Sequence, residues 1–455
     1  MRKTSRIWIT LLAMACIVAL SSAAVLAEGE KTKILYAGWA WPGNQSQEPR
    51  IKAFQEANPD IEVEYLFIPL EEYPQRLTAM AAAGELPDVL WVFDTYRYVI
   101  NGWLEDLTPW LEADPTWDPD LFWGNSLSPG TIRGRLFSLP FQLQCGMIAV
   151  NKDVLNRFNL RMPDPDWTWE DLWNLSLRMN RPAQNEYGME DAYWTWEFYS
   201  PAWSDKTTWM GLSLDGTRFL YDDPDVAEAM KWSVEFERTN SAESLGLADG
   251  SRPDAWGHEA FIEAYGNVAP FEQSKAGFRW DWSWSFGWWH DNWEFDYAVL
   301  PSPVGPARQV TPLITDNMGM SASSKNKEAA FRFLRWMTYD IDAWKTRMIV
   351  ETPVPMSMPV INDESVWDLY LSNEAVPEGM AAVVETLENG LVEPGRSIPG
   401  VSEAYGIITP ERDQVRMGRA NYDDRFPTIV NDQINQLLAD TQAAVNEALD
   451  EVLGR

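Results

Sequence analysis

Hydrophobic and polar residues alternate along IEVEYLFI (61–68), the period-two signature of a strand with one face turned inward. Just upstream, EPRIKAFQEANPD places Ile51, Phe54 and Ala57 on one helical face, and Asn58-Pro59 stops the helix. KTKILYAGWAW opens the sequence pattern with a short apolar strand ending in aromatics. EEYPQRLTAMAAAGE reads as a helix, and PDVLWVF as a fully buried strand. Strand, helix, strand, helix, strand at this spacing predicts βαβ units on a parallel sheet. Ligands of such sheets sit beyond the C-terminal ends of the strands, here GWAW (38–41) and DTYR (94–97).

Further on, GRLFSLPFQLQCGMIAVNKDVLNRFNL reads as a strand pair followed by a helix. DWTWEDLWNLSLRM starts a helix with Thr168 as N-cap and Asp171 three residues on, a capping-box arrangement. FDYAVLPSPVG is a strand running into a proline-rich linker. SKNKEAAFRFLRWMT and IVNDQINQLLADTQAAVNEALDEVL are helical, and Asp316-Asn317 in ITDNMGM reads as a turn, with polar groups of a ligand cleft as the alternative. There are no repeats and no long linkers, so the lobes of a 455-residue chain must be interleaved.

The first 27 residues have the layout of an export signal. Arg2, Lys3 and Arg6 precede the apolar IWITLLAMACIVAL, and AVLAEGE offers cleavage between Ala27 and Glu28. A lipidated Cys16 is the competing reading. It is the weaker one, because Ala13 stands where leucine is preferred and the apolar run continues past the cysteine. Export to the periplasm or to the outer face of the cytoplasmic membrane is therefore expected. No later stretch reaches the roughly 20 apolar residues of a membrane span. Cys145, the only cysteine outside this leader, cannot form an intramolecular disulfide and reads as a small core residue.

The net charge of −32 repels phosphate backbones and anionic lipid, which excludes nucleic acid as a partner. Tryptophan occurs 26 times, well above ordinary usage, and six copies crowd into WDWSWSFGWWHDNW (280–293). Indole combines a broad apolar face with a polar tip, which suits stacking on the flat face of a pyranose. In that stretch Trp280, Trp282 and Trp284 alternate with Asp281, Ser283 and Ser285, which predicts one aromatic face of an extended segment. Such a face serves a sugar platform or a packed strand equally well. Trp288, Trp289 and Trp293 are expected in packing or at a rim. His258 and His290 are isolated, so neither a histidine-based zinc motif nor a Ser-His-Asp triad is credible.

Several segments, in order, resemble the family 1 extracellular solute-binding proteins, the maltose-binding-protein-like receptors of sugar ABC transporters. They are RIKAFQEANPDIEVEY, RLTAMAAAGELPDVLWV, GWLEDLTPWL, GRLFSLPFQLQCGMIAVNKDVLNRFNL, WTWEDL, FEQSKAGF, YAVLPSPVG and SASSKNKEAAFRFLRWM, with LLADTQAAVNEALDEV resembling the closing helix. Val150 departs from the family's usual tyrosine, SKAGF replaces its usual GKAAM, and residues 355–425 match nothing recognisable.

The resemblance implies a two-lobed α/β fold, each lobe a mixed sheet flanked by helices, with the ligand held between the lobes. By analogy residues 28–140 and 299–340 form the first lobe, and residues 141–298 and 341–455 the second. The chain crosses near Leu139–Gln144, Ala298–Pro301 and residue 340. The family's stacking tryptophan falls closest to Trp282, with Trp284 as the other choice and Trp280 on the same face. At least one of Trp39 and Trp41 is expected to touch ligand. Asp94 corresponds to the family's sugar-binding acid, followed by Tyr96 and by Arg97, which could instead neutralise Asp94. Gln144 falls at a polar contact position of the crossing strand. Trp194, Trp196 and Glu197 lie where the second lobe offers an aromatic and an acid, unless they form a plain surface helix.

The function implied is capture of a carbohydrate, an oligosaccharide rather than a monosaccharide, and delivery to the membrane permease subunits of an ABC importer. The protein would act as a monomer, with no catalysis, cofactor or metal. The alternative class is a secreted glycoside hydrolase, which needs two carboxylates about 5–9 Å apart. Nothing but the abundance of acids supports it.

Overall fold

The computed structural model describes residues 31–40, 47–247, 259–351 and 357–454. The export signal and Trp41 lie outside them. Nine strands form one twisted mixed sheet: β1 (Thr32–Ala40), β2 (Ile61–Pro69), β3 (Val89–Val92), β4 (Leu139–Asn151), β5 (Tyr187–Glu190), β6 (Ala276–Trp282), β7 (Tyr297–Leu300), β8 (Thr311–Met320) and β9 (Gly390–Val392). Their order is β2-β1-β3-β8-β4-β6-β5, with β9 beside β8 and β7 beside β4. The predicted βαβ start is present. β1 pairs in parallel with β2 and β3, joined by α1 (Gln47–Ala57) and α2 (Tyr73–Ala83), and Gly84 ends α2 in the left-handed conformation (φ 72°) that glycine accepts readily.

β4 is the strand that ties the molecule together. Its first half pairs with β8, from Leu139↔Met318 to Cys145↔Leu313. Its second half pairs with β6, Gly146↔Trp282 to Val150↔Phe278, and with β7. All thirteen residues of β4 are buried, which suits a strand covered on both faces and explains its apolar run. The β4–β8 register shifts between Asp316 and Asn317, which pair with Gln142 and Pro140, so the unpaired extra residue is Phe141 of β4. The turn expected at these two residues is thus corrected to strand. Buried neighbours on both sides and ladder pairing with β3 and β4 override the local turn preference of an Asp-Asn pair.

The helices that position the candidate site are α3 (Thr95–Ile100), α4 (Trp169–Met179), α5 (Trp196–Trp203), α6 (Pro224–Asn240), α7 (Phe286–Asn292), α8 (Lys327–Thr338), α9 (Ile341–Val350), α10 (Val401–Arg416) and α11 (Asn431–Leu453). α4 begins with the predicted capping box: Thr168 Oγ1 accepts from Asp171 N, and the Asp171 carboxylate accepts from Thr168 N. One core unites β1–β3, α8 and α9 with residues as late as Val392 and Leu449 of α11. A second surrounds β6 and α4, and a third packs Met210–Val234 against α10 and α11. Cys145 is fully buried, and burial pushes its thiol far up, as befits an inert core residue. Among the described residues no helix is long and apolar enough to cross a membrane.

Candidate functional site

The parallel strands β1 and β3 end side by side and carry their aromatics to that end. Trp39 lies 4.8 Å from Trp91, and Phe93 lies parallel to Trp91 at 6.1 Å. Trp91 in turn meets the edge of Phe141 at 4.8 Å, which fixes it against the crossing strand β4. The chain then turns through Asp94, whose carboxylate caps α3 by accepting from Arg97 N at 2.9 Å. Partial desolvation raises the Asp94 carboxyl above its ordinary value, opposed by the Arg97 backbone N–H and guanidinium. Tyr96 is half-buried beside it, and the Arg97 side chain is exposed.

Across from α3, the loop before α10 brings in Arg396. Its guanidinium lies 5.3 Å from the centre of the Phe93 ring and 2.9 Å from Asp316 Oδ1. Burial raises the Asp316 carboxyl, with Arg396 and the Trp91 indole opposing. A cavity of about 270 Å³ opens between these elements, lined by Asp94, Tyr96 and Arg97 of α3, Arg396 and Glu403, and Thr441 of α11. Two carboxylates and two guanidiniums around one cavity supply acceptors and donors for paired hydroxyl groups while leaving little net charge.

A second aromatic group sits on the other side of the β4–β8 crossing. Trp209, Trp282 and Trp284 form a ladder, with ring separations of 6.1 and 4.9 Å and interplanar angles of 28° and 18°. Trp209 and Trp282 are buried, whereas Trp284 is 49% exposed. The ladder is joined to the crossing by Ser283. Its Oγ donates to Gln144 Oε1 at 2.5 Å and accepts from Cys145 N at 3.2 Å. Gln142 and Gln144 on β4, with Asp316 on β8, therefore form a polar line between the two aromatic groups.

The expectation that Trp280, Trp282 and Trp284 share one face of an extended segment is corrected. β6 ends at Trp282, and Ser283–Ser285 is a 3-10 turn, so Trp284 reaches Trp282 by folding back. Trp280 is 1% exposed and belongs to the core; Gly146 leaves it room, since a Cβ there would stand 2.8 Å from its ring. Trp289 and Trp293 stack on each other in the core, and Trp288 is exposed. Trp194 is half-buried, 4.9 Å from Tyr193. Trp196 and Glu197 lie in α5, where only their backbone is described.

Trp91, Phe93, Trp209, Arg396 and Glu403 join the site without having been anticipated. The alternation of Trp91 and Phe93 at the end of β3 was a usable signal. Arg396 in EPGRSIPG carries none, because its partners Phe93 and Asp316 are about 300 and 80 residues away.

Residues 42–340 match the model of the bacterial extracellular solute-binding proteins. The mannitol-binding protein of Pseudomonas aeruginosa is 33% identical over 142 residues, 30% of this chain and 31% of that protein. The erythritol/L-threitol-binding protein of Mycolicibacterium smegmatis is 24% identical over 338 residues, 65% and 64% of the two chains. The matched stretches thus span less than two thirds of either relative. The solved structure of the sugar-binding protein MalE from Xanthomonas citri superposes with a TM-score of 0.70, covering 91% of this chain and all of that one at 15% identity, which establishes the two-lobed fold. With a family model that matches most of its length and a sheet that places its aromatic and polar residues at the crossing between two lobes, the chain belongs to the family of bacterial extracellular solute-binding proteins.

Proposed function

We propose that this protein captures a neutral polyhydroxylated solute, a sugar or sugar alcohol, between its lobes and delivers it to the permease of an ABC importer. The observation that carries this reading is the pairing of two aromatic groups, Trp39–Trp91–Phe93 and Trp209–Trp282–Trp284, across the polar line of Gln142, Gln144, Asp316 and Arg396. A neutral ligand offers only hydroxyls and flat C–H faces, and this arrangement answers both. The relatives bind mannitol and erythritol or threitol by name, so linear polyols stand beside the ring sugars.

The ligand contacts proposed are Trp39, Asp94, Tyr96, Arg97, Gln144, Trp282, Trp284 and Arg396, together with Trp194, Trp196 and Glu197 as the resemblance implies. Trp280 acts from the core. The lobe division keeps the crossings at Leu139–Gln144 and Ala298–Pro301. We put the last return after Val392 instead of at residue 341; in support, α9 packs in the first core and α10 in the third, while α11 contributes to both. Export with removal of residues 1–27, monomeric action and absence of catalysis complete the reading.

A thermal-shift panel of mannitol, erythritol, maltose and maltotriose tests it. A ligand present at about 100 times its Kd should stabilise the protein by about 2.7 kcal/mol. No shift with any polyol or sugar contradicts the proposal, and new reducing ends from the oligosaccharides would favour the hydrolase.

A further inference from the structure

Behind the Trp282–Trp284 ladder lies a buried group of charges that the ligand site does not use. Arg279 on β6 stands 3.3 Å from Asp191 Oδ2, 3.1 Å from Asp281 Oδ2, and 3.9 Å from both Glu190 Oε1 and Glu272 Oε1. Glu243 joins them by accepting from Asp191 N at 2.8 Å. Glu190, Asp191, Glu243 and Asp281 are each 9% exposed or less, so among the described residues four carboxylates lie within 4 Å of the Arg279 guanidinium and Glu243 stands beside them, four of the five away from water. No hydrogen bond among the described residues reaches Glu190 Oε1 or Glu243 Oε2. That many buried anions cannot all stay ionised. Protons bound to these carboxylates would supply compensating charge.

The cluster also grips the segments that carry the second aromatic group. Asp281 Oδ1 accepts from Trp282 N at 2.8 Å and from Ser285 Oγ at 2.7 Å, so it clamps both ends of the turn bearing Trp284. Asp191 sits in the left-handed region (φ 58°) and opens the turn holding Tyr193 and Trp194. Glu272 accepts from the indoles of Trp288 and Trp293.

We propose that the Glu190–Asp191–Glu243–Asp281 cluster is a proton-operated switch that repositions the Trp282–Trp284 turn, so that the protein's grip on its ligand depends on pH. The groups facing it from each packed element are Glu190 and Tyr187 of β5, Arg279 and Asp281 of β6, Glu237 of α6, Tyr265 of the helix Glu259–Tyr265, and Arg416 of α10, which pairs with Glu237 and lies 5.4 Å from the Tyr193 ring. Burial, followed by the charges of Asp191 and Glu237, pushes Glu243 up to about 8. Burial, against the pull of Arg279, brings Asp191 to about 6. Both therefore ionise within the range an exported protein meets. Ionisation adds repulsion around Arg279, and the segment bonded to the cluster that reaches solvent is the turn held by Asp281, through the half-exposed Trp284.

The movement of the turn can be read without any ligand; only its consequence for ligand binding rests on the proposed function. The full chain labelled with 5-fluorotryptophan gives one fluorine resonance per indole, and a Trp284→Phe spectrum assigns that of Trp284. Between about pH 5 and about pH 9 that resonance is expected to move with a midpoint between the values of Asp191 and Glu243, about 6 to 8. Glu243→Gln, or Glu190→Gln should the first fail to fold, is expected to displace the midpoint or abolish the movement. A Trp284 resonance that stays fixed across the range, or one that moves unchanged in a folded Gln variant, overturns the proposal. If the resonance titrates but no polyol or sugar shifts the melting temperature, the switch stands and the proposed ligand class falls.

Discussion

Among the described residues, two guanidiniums share one buried carboxylate on the Trp91 side of the molecule, and on the Trp284 side one guanidinium serves four. Arg50 and Arg347 both pair with Glu351, and most of their remaining donors are answered: Arg347 Nη1 donates to Met337 O, its Nη2 to Phe141 O, and Arg50 Nη2 to Ser357 Oγ, while Arg50 Nη1 has no hydrogen-bond partner among the described residues. This triad braces the start of β4, on which Trp91 rests through Phe141. Arg279 reaches Glu190, Asp191, Glu272 and Asp281 and satisfies none of them fully. A hydrogen-bonded buried ion pair fixes geometry, whereas surplus buried charge leaves it responsive to protons. The first aromatic group is therefore a fixed wall and the second an adjustable one.

The largest effect that could break this comparison is on the fixed side. Glu351→Gln leaves two guanidiniums buried with no counter-charge and is expected to destabilise the protein by about 3–5 kcal/mol in urea unfolding. A loss below about 1 kcal/mol would show that the triad braces nothing.

The adjustable side should respond to pH with a definite sign. Glu243 holds its proton to about 8 when folded but only to its ordinary 4.5 when unfolded. Its contribution to stability is thus fully present below 4.5 and lost as pH rises to about 8, at no more than about 1.4 kcal/mol per pH unit. Unfolding of the parent and of Glu243→Gln from about pH 5 to about pH 8 should give stabilities that diverge in favour of the variant. Parallel curves would remove the strained-cluster account.

The smallest effect concerns a pair outside both walls. Arg133 bridges to Asp450 at 2.7 Å and donates to Asn446 O and Gly454 O, tying the hairpin of residues 131–136 to the end of α11. Both side chains are a third or more exposed, so Asp450→Asn should change stability by about 0–1 kcal/mol. A larger loss would make this contact a third brace.

What could be read from the chain follows how local each signal is. Alternation in IEVEYLFI and the Thr168/Asp171 capping box are complete within a few residues, and both structures formed as expected. The Trp280–Trp284 alternation misled because it runs past the end of the strand. Its continuation is set by Ser283 bonding Gln144 across 139 positions, which no periodicity records. Asp316-Asn317 carries turn chemistry locally, yet burial between β3 and β4 decides its conformation. Arg396 belongs to the site only through tertiary contacts with Phe93 and Asp316.

The central claim is that the ladder ends in a ring that meets ligand while its neighbour Trp280 is core. Titration calorimetry of the parent, Trp284→Ala and Trp280→Ala, using whichever polyol or sugar gives the greatest thermal shift, tests it directly. Losing a stacking ring should weaken binding by about 1–3 kcal/mol, roughly 5- to 150-fold in Kd, by analogy with base–aromatic stacking. Stability without ligand should be nearly unchanged in Trp284→Ala, since that ring is half in solvent. Trp280→Ala should instead lose about 3–5 kcal/mol of stability. Unaltered affinity in Trp284→Ala, measured on folded protein, would contradict the account and place ligand recognition elsewhere in the cleft.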